Sequence, residues 1–531
     1  MATWEAIGAA KRQAVLASIP AEWHIPASKL PSESILDVSS FASDSGLFTA
    51  RELEITSLTA ESLLQKLLTQ EWTSEEITRA ICKRAAAAHQ LTNCLSEVFF
   101  EEAIARAKSL DETFRETGKP IGPLHGLPIS LKDNFNLVGK DSTVGFATFA
   151  NDPATYDSVL VELLRDAGAV FYVKTNVPTA MMIAESVNNV FGRTVNPLNR
   201  NCTSGGSSGG ESALIAFGGS VLGVGTDIGG SLRIPAACTG IYTLRPSFGR
   251  FPTLKCRSGL TGQEAVNSVN GPMSRSLSDL ALFARTVVSA SPWLSDPKML
   301  PIPWRSVTLP TTLKIGVLWH DGIITPTPPV QRALKTTVEK LRKAGHQIVD
   351  WNPALHSPLL STLGKFFIAD GGSTVRSILS RTSEPWRPEM SAYELAPTIS
   401  VADMWALQAE RTTLMKKYLD QWNESGIDCI LAPTTPYASV RNGMWRHVGY
   451  TGVFNVVDYA ATSFPTGVTA DKELDAEYGP EVGVLGEEDG KVRETYEAGL
   501  VHGLPVSLQL VGRRLEEEKV LEMTGAVLKA L

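Results

Sequence analysis

Three short segments of this chain hold residues that could do covalent chemistry together: PISLKDN (128–134), TSGGSSGGES (203–212) and GVGTDIGGSLRIPA (223–236). They offer a lysine, several serine hydroxyls and two runs of glycine. Glycine lets a chain turn tightly with its backbone N–H groups facing one point, an arrangement that suits either a phosphate or a developing oxyanion. The phosphate reading lacks its usual companions. No Lys-Ser/Thr pair follows the GGSSGG glycines, and GVGTDIGG misses the GxGxxG spacing of a dinucleotide turn. Pattern alone leaves structural turns and an oxyanion nest both open, and makes nucleotide binding the poorer fit.

A nucleophile needs more than glycine. A serine hydroxyl attacks poorly until a base removes its proton, and a lysine can serve once its ammonium form is disfavoured. Lys132 in SLKD could be such a lysine, and the serines of the two glycine-rich segments such hydroxyls. The N–H groups of Ile228, Gly229, Gly230 and Ser231 could converge on the oxyanion. Asp227 could accept backbone N–H bonds that stiffen this loop, and Arg233 could pair internally with a carboxylate. Asp133 and Asn134 could orient the lysine strand. Taken singly, each residue has a plain alternative: an isolated lysine is ordinarily a surface residue, and Thr203, Ser204 and Ser208 could simply cap the following helix.

Taken together, GPLHGLPISLKDNF, TSGGSSGGE and GVGTDIGGSLRIPA resemble the hallmark segments of the amidase signature family of serine hydrolases. The resemblance runs from about residue 60 to the end, through GRTVNP, LRPSFGR, GPMSRSLSDLALF and GLPVSLQLVGR. The N-terminal WEAIGAAKRQ and IPAEW, with CKRAAAAHQLTNC, look closest to fungal acetamidase-like members. The resemblance implies a Ser-cisSer-Lys triad of Ser231, Ser207 and Lys132, with a non-proline cis peptide between Gly206 and Ser207. Ser204 and Ser208 then support the site. It also puts NVPTAMMIAES beside the acyl pocket, with Met181 and Met182 as lining candidates (core packing being their alternative) and Gly205 and Gly206 against the substrate. His125 is left structural, because the family base is a lysine. The activity implied is hydrolysis of a carboxamide, first of all a small primary amide. A fatty or aryl amide hydrolase with a larger acyl pocket and esterase side activity is the alternative. A non-catalytic binding or scaffold protein is the remote one. The fold implied is α/β, a large mixed twisted sheet flanked by helices on both sides.

Elements must position these residues, and the pattern supplies them. GLPISLKDNF reads as a short strand or strand–loop junction, VLVELLRDAG followed by AVFYVKTN as helix then buried strand, SGGESALIAFGG as a loop entering a helix, and SVLGVGTD as a strand. LTAESLLQKLLTQ and TSEEITRAICKRAAAAHQ read as capped helices, Ser74 capping the second. Residues 1–58 read as a helix and extended arm that packs on the core or a partner. Residues 59–531 read as the catalytic domain, with 328–460 a variable helix-rich region shaping the pocket, and 301–312 and 321–329 as connections. GLPVSLQLVGR reads as a strand and LEEEKVLEMTGAVLKAL as a closing helix whose EEE run faces solvent.

The bulk composition fits a globular enzyme. Of 531 residues, 43% are hydrophobic and 20% charged, and a formal net charge of -7 without a basic tract argues against nucleic acid as a partner. The six cysteines show no CxxC and the eight histidines no HExxH, so no metal or other cofactor is expected. The chain shows no signal-peptide core and no run of eighteen apolar residues, so no transmembrane segment and a cytoplasmic location are expected. A small-molecule amide substrate and a homodimer complete the expected partners.

Overall fold

Runs of consecutive apolar residues such as VFYVKT and CILAP mark strands covered on both faces. The computed structural model, which describes residues 3–479 and 482–531, builds them into one sheet. Among the described residues, eleven strands form it: β1 (Leu95–Val98), β2 (Pro128–Lys132), β3 (Val170–Thr175), β4 (Leu222–Asp227), β5 (Tyr242–Arg245), β6 (Val269–Ser274), β7 (Lys314–Val317), β8 (Gln347–Asp350), β9 (Cys429–Pro433), β10 (Ala461–Thr469) and β11 (Pro505–Val511). Their order across the sheet is β1-β3-β2-β4-β6-β5-β10-β11-β9-β7-β8. The sheet is mixed. β3, β2 and β4 run parallel, as do β8, β7 and β9, and the strands between the two groups pair antiparallel.

Helices cover this sheet with apolar stripes. Ile77, Ile81, Leu214 and Phe217 pack with Ile129, Val173 and Leu222 in the largest core cluster. Leu334, Val338 and Leu341, with Val520, Met523 and Val527, cover Leu431, Phe464 and Leu508. Each such side chain, fully removed from water, contributes about 1.5–3 kcal/mol. The sheet therefore holds the catalytic-candidate strands at fixed height and register.

The N-terminal helix Trp4–Ala17 begins at Thr3, and its Lys11 side chain is buried between the carboxylates of Glu97 and Asp141. Beyond it the arm keeps to the body of the chain: Ile25 N–H donates to Gln90 Oε1 (2.8 Å) and Val38 N–H to the Pro197 carbonyl (2.8 Å). It is less extended than its Pro/Ser content suggests, with helical turns at Ala21–Trp23, Ala27–Lys29 and Phe41–Asp44.

Two local expectations change. The helix Ser74–Thr92 is capped by Thr73, whose hydroxyl accepts from Glu76 N–H (3.1 Å), while the Ser74 hydroxyl donates to the Gly126 carbonyl. The EEE run does not face solvent. Glu517 and Glu518 are 0% and 2% exposed, with Arg250 beside Glu517 (3.0 Å) and Arg305 beside Glu518 (2.6 Å). A run of like charge is solvated only when no opposite charge is folded against it, and Arg250 and Arg305 arrive from far earlier in the chain.

Candidate active site

Lys132 is the last residue of β2, a strand buried along its whole length. Because β2 and β4 are parallel and paired at Ser130↔Gly223 and Leu131↔Val224, their C-terminal ends meet at one edge. Ligand sites in parallel sheets form at that edge. The Lys132 ammonium is 0% exposed and donates to Ser207 Oγ (2.7 Å) and Thr226 Oγ1 (2.6 Å). Burial pushes its pKa down to about 7, against the opposing pull of Asp227, Glu211 and Asp133. Glu211, equally buried, is pushed up to about 7 by desolvation, although Ser130 and Thr175 hydrogen-bond its carboxylate.

Ser207 sits between the strand Asn199–Thr203 and the helix Gly209–Phe217, and the Gly206–Ser207 peptide is cis. Gly206 lies directly on the neighbouring main chain: a Cβ there would stand 2.6 Å from Glu185 N and 2.7 Å from the Ala184 carbonyl carbon. Gly205, at φ +77°, lies equally close to Pro235. Ser208 joins the two loops, since its N–H donates to the Ser231 carbonyl (3.2 Å) and its hydroxyl accepts from Thr226 N–H (3.3 Å). The Ser204 hydroxyl donates to the Thr194 carbonyl (3.4 Å), inside the loop's own base.

The second loop leaves the end of β4 at Asp227 and enters the helix Arg233–Thr239. Asp227 organises it. Its carboxylate accepts from Gly230 N–H (2.8 Å), Leu232 N–H (3.2 Å), the Arg233 guanidinium (3.0 Å) and Asn455 Nδ2 (2.7 Å). Burial alone would raise its pKa, but Arg233, Arg245 and the Asn455 hydrogen bond together outweigh burial and hold it at about 2. This arrangement bears on the oxyanion donors expected from the sequence. The Gly230 N–H is already committed to Asp227, whereas those of Ile228, Gly229 and Ser231 have no protein acceptor among the described residues. Gly230 is needed for shape instead: its φ is +132°, and a Cβ would fall 2.2 Å from Thr451 Oγ1.

Ser231 is partly accessible, while Ser207 and Lys132 lie buried behind it. The Ser207 and Ser231 hydroxyls are not hydrogen-bonded to each other, and the resting contact of Ser207 is with Lys132. A cavity of about 420 Å³ is lined by Met182–Glu185, the segment Gly206 rests against, with Pro388, Glu389 and residues of the loop 443–448. Met182 lines it; Met181 does not, and both pack half-buried on the cluster around Phe146 and Ile183. A second groove of about 370 Å³ lies beyond Phe367, whose ring edge is 3.4 Å from where a Gly229 Cβ would stand. His125 is buried away from this chemistry, accepting from Ile121 N–H (3.1 Å) and packing edge-on against Phe114.

Several participants carry no sequence signal. Thr226 is an ordinary strand threonine, and Glu211 reads as a first-turn helix acid. Thr451, whose hydroxyl donates to the Gly229 carbonyl (2.7 Å), and Asn455 come from the helix Gly449–Val456, over two hundred residues later.

The Amidase family model matches residues 76–521. An acetamidase of Emericella nidulans is 42% identical over 100% of this chain and 98% of its own length, and an acetamidase of Aspergillus oryzae 39% identical over 100% and 99%. Among solved structures, a fatty acid amide hydrolase superposes with a TM-score of 0.95 at 34% identity, covering 99% of this chain and 94% of that one.

Proposed function

Since the chain belongs to the amidase signature family, and so is a hydrolase of the amidase class, we propose that it cleaves carboxamides through an acyl-enzyme on Ser231, with Lys132 as base and Ser207 as proton relay. The observation that carries this reading is the buried Lys132 side chain, held against Ser207 at 2.7 Å with its pKa brought to about 7. At neutral pH such a lysine is about half neutral. It takes the Ser207 proton as Ser207 takes that of Ser231. Ser231 Oγ then attacks the carbonyl carbon, and the oxygen charge meets the N–H groups of Ile228, Gly229 and Ser231. The proton travels back through Ser207 to the leaving nitrogen, the C–N bond breaks, and the amine or ammonia departs. Water attacks the acyl-enzyme by the same proton path and releases the carboxylate.

For the substrate, the reading is an amide whose acyl part is larger than acetyl, fatty or aryl, with esters as side substrates. Supporting it are the likeness to a fatty acid amide hydrolase along nearly the whole chain, the 420 Å³ cavity lined by Met182, Ile183 and Trp445, and the groove behind Phe367. The groove behind Phe367 in particular offers far more apolar wall than a methyl group uses. The 42% identity to an acetamidase favours a second reading, a small primary amide. Ammonia release from acetamide through hexanamide, benzamide and phenylacetamide separates the two. The first reading predicts kcat/KM rising with acyl size, each methylene contributing about 1–3 kcal/mol of discrimination. Turnover greatest on acetamide would establish the second.

A further inference from the structure

The wall of the 420 Å³ cavity is built from three segments distant in sequence, and one buried carboxylate fastens them. Glu185 is 1% exposed. Its Oε2 accepts from Gly443 N–H (2.9 Å) and its Oε1 from Trp445 N–H (3.1 Å), so both oxygens hold the loop 443–448. The same carboxylate pairs with Arg193, which reaches Glu389 (3.2 Å) on the third wall segment, where Arg387 also binds (2.9 Å).

The latched loop lies between the two reacting loops. The main chain of Glu185 is the surface on which Gly206 rests, one residue before Ser207. At its other end the loop 443–448 reaches the oxyanion loop: the Thr451 hydroxyl donates to the Gly229 carbonyl (2.7 Å) and lies 3.1 Å from the Val448 carbonyl. Between these ends Trp445 Nε1 donates to the His447 carbonyl (2.9 Å), and His447 is tied to Asp321 at 2.5 Å. The loop thus spans from the Ser207 side to the Gly229 side, with the Trp445 ring on the cavity.

We propose that Glu185 is a positioning residue for substrate selection, its two bonds to Gly443 and Trp445 setting the position of the loop that walls the acyl side of the site. It rests on the amidase reading above. The effect falls on substrates that reach the wall and spares those that do not.

The test compares acetamide with phenylacetamide in the full-length enzyme. Glu185→Gln keeps one acceptor oxygen but loses the second loop bond and the charge. Glu185→Asp keeps the charge but is one methylene too short to hold the loop. Arg193→Gln removes the ion pair and leaves both loop bonds. Both Glu185 variants are expected to raise KM for phenylacetamide about tenfold, as loss of a hydrogen bond to a charged group does. They should leave kcat and the acetamide parameters within about threefold, and Arg193→Gln should keep the wild-type ratio between the two amides. Equal losses on both amides, a fall in kcat at unchanged KM, a wild-type profile for Glu185→Asp, or no soluble protein from either Glu185 variant would each overturn the proposal. Failure of the amidase reading shows elsewhere, as wild-type enzyme inactive on both amides or activity surviving in Ser231→Ala.

Discussion

At the scale of single residues, the account depends on a lysine that is buried without a paired carboxylate and therefore easily deprotonated. Two predictions follow from that environment. The kcat/KM profile should fall on the acid side with a midpoint near pH 7, since only neutral Lys132 can take a proton and burial brings its pKa to about 7. Thr226→Val should then move that acid limb to lower pH. The Thr226 hydroxyl accepts from the ammonium at 2.6 Å and so favours the charged form, which its removal disfavours further. An acid limb that stays put or moves up in this near-isosteric variant would dissociate the limb from Lys132. Ser231→Ala should lower kcat by about 10⁴-fold or more, as loss of the nucleophile does in serine hydrolases generally.

At the scale of elements, two parallel strands bring Lys132 and Asp227 to one edge, and Asp227 then shapes the loop that carries Ser231. Asp227→Asn removes the charged partner of Arg233 and leaves that guanidinium buried, 0% exposed. Breaking a buried pair from one side costs about 3–5 kcal/mol, so the denaturant midpoint should drop clearly. The variant should also lose kcat, because the Gly230 N–H held by Asp227 fixes the turn that aims the Ile228, Gly229 and Ser231 donors. Thr451→Val should keep the melting temperature within a few degrees yet reduce kcat, since it frees the Gly229 carbonyl without unpairing a charge. A stable Asp227→Asn enzyme with full activity would show that the loop is held by other means.

At the scale of the whole molecule, the first helix of the N-terminal arm is anchored by a buried cation, Lys11. Lys11→Met leaves Glu97 and Asp141 facing each other unpaired at the sheet edge. Limited proteolysis should then cut within residues 3–48 well before the wild type is cut, while the intact body persists. Equal protection in both proteins would place the anchorage in the apolar contacts of Val15 and Ile19 instead. The same scale shows what a sequence can carry. Strands β2, β3, β4 and β11 and the helices around them were legible because their periods and glycine-bounded ends are local. Lys132, Ser207 and Ser231 stood out through their motifs. The contributions of Thr226, Glu185, Thr451 and Asn455 were not legible, because each depends on a partner far away in the chain. Burial of Glu517 and Glu518 was misread for that same reason, their arginines lying some two hundred residues upstream or more. That the Gly230 N–H turns to Asp227 is likewise visible only in the folded loop.

The most direct measurement is the mass of the protein quenched during turnover of an ester or anilide whose acyl-enzyme hydrolyses slowly, followed by mapping of the modified peptide. The account predicts a gain equal to the acyl group, carried on Ser231 and absent in Ser231→Ala. An acyl group on any other residue, or unmodified Ser231 during steady turnover that the alanine variant retains, would contradict it.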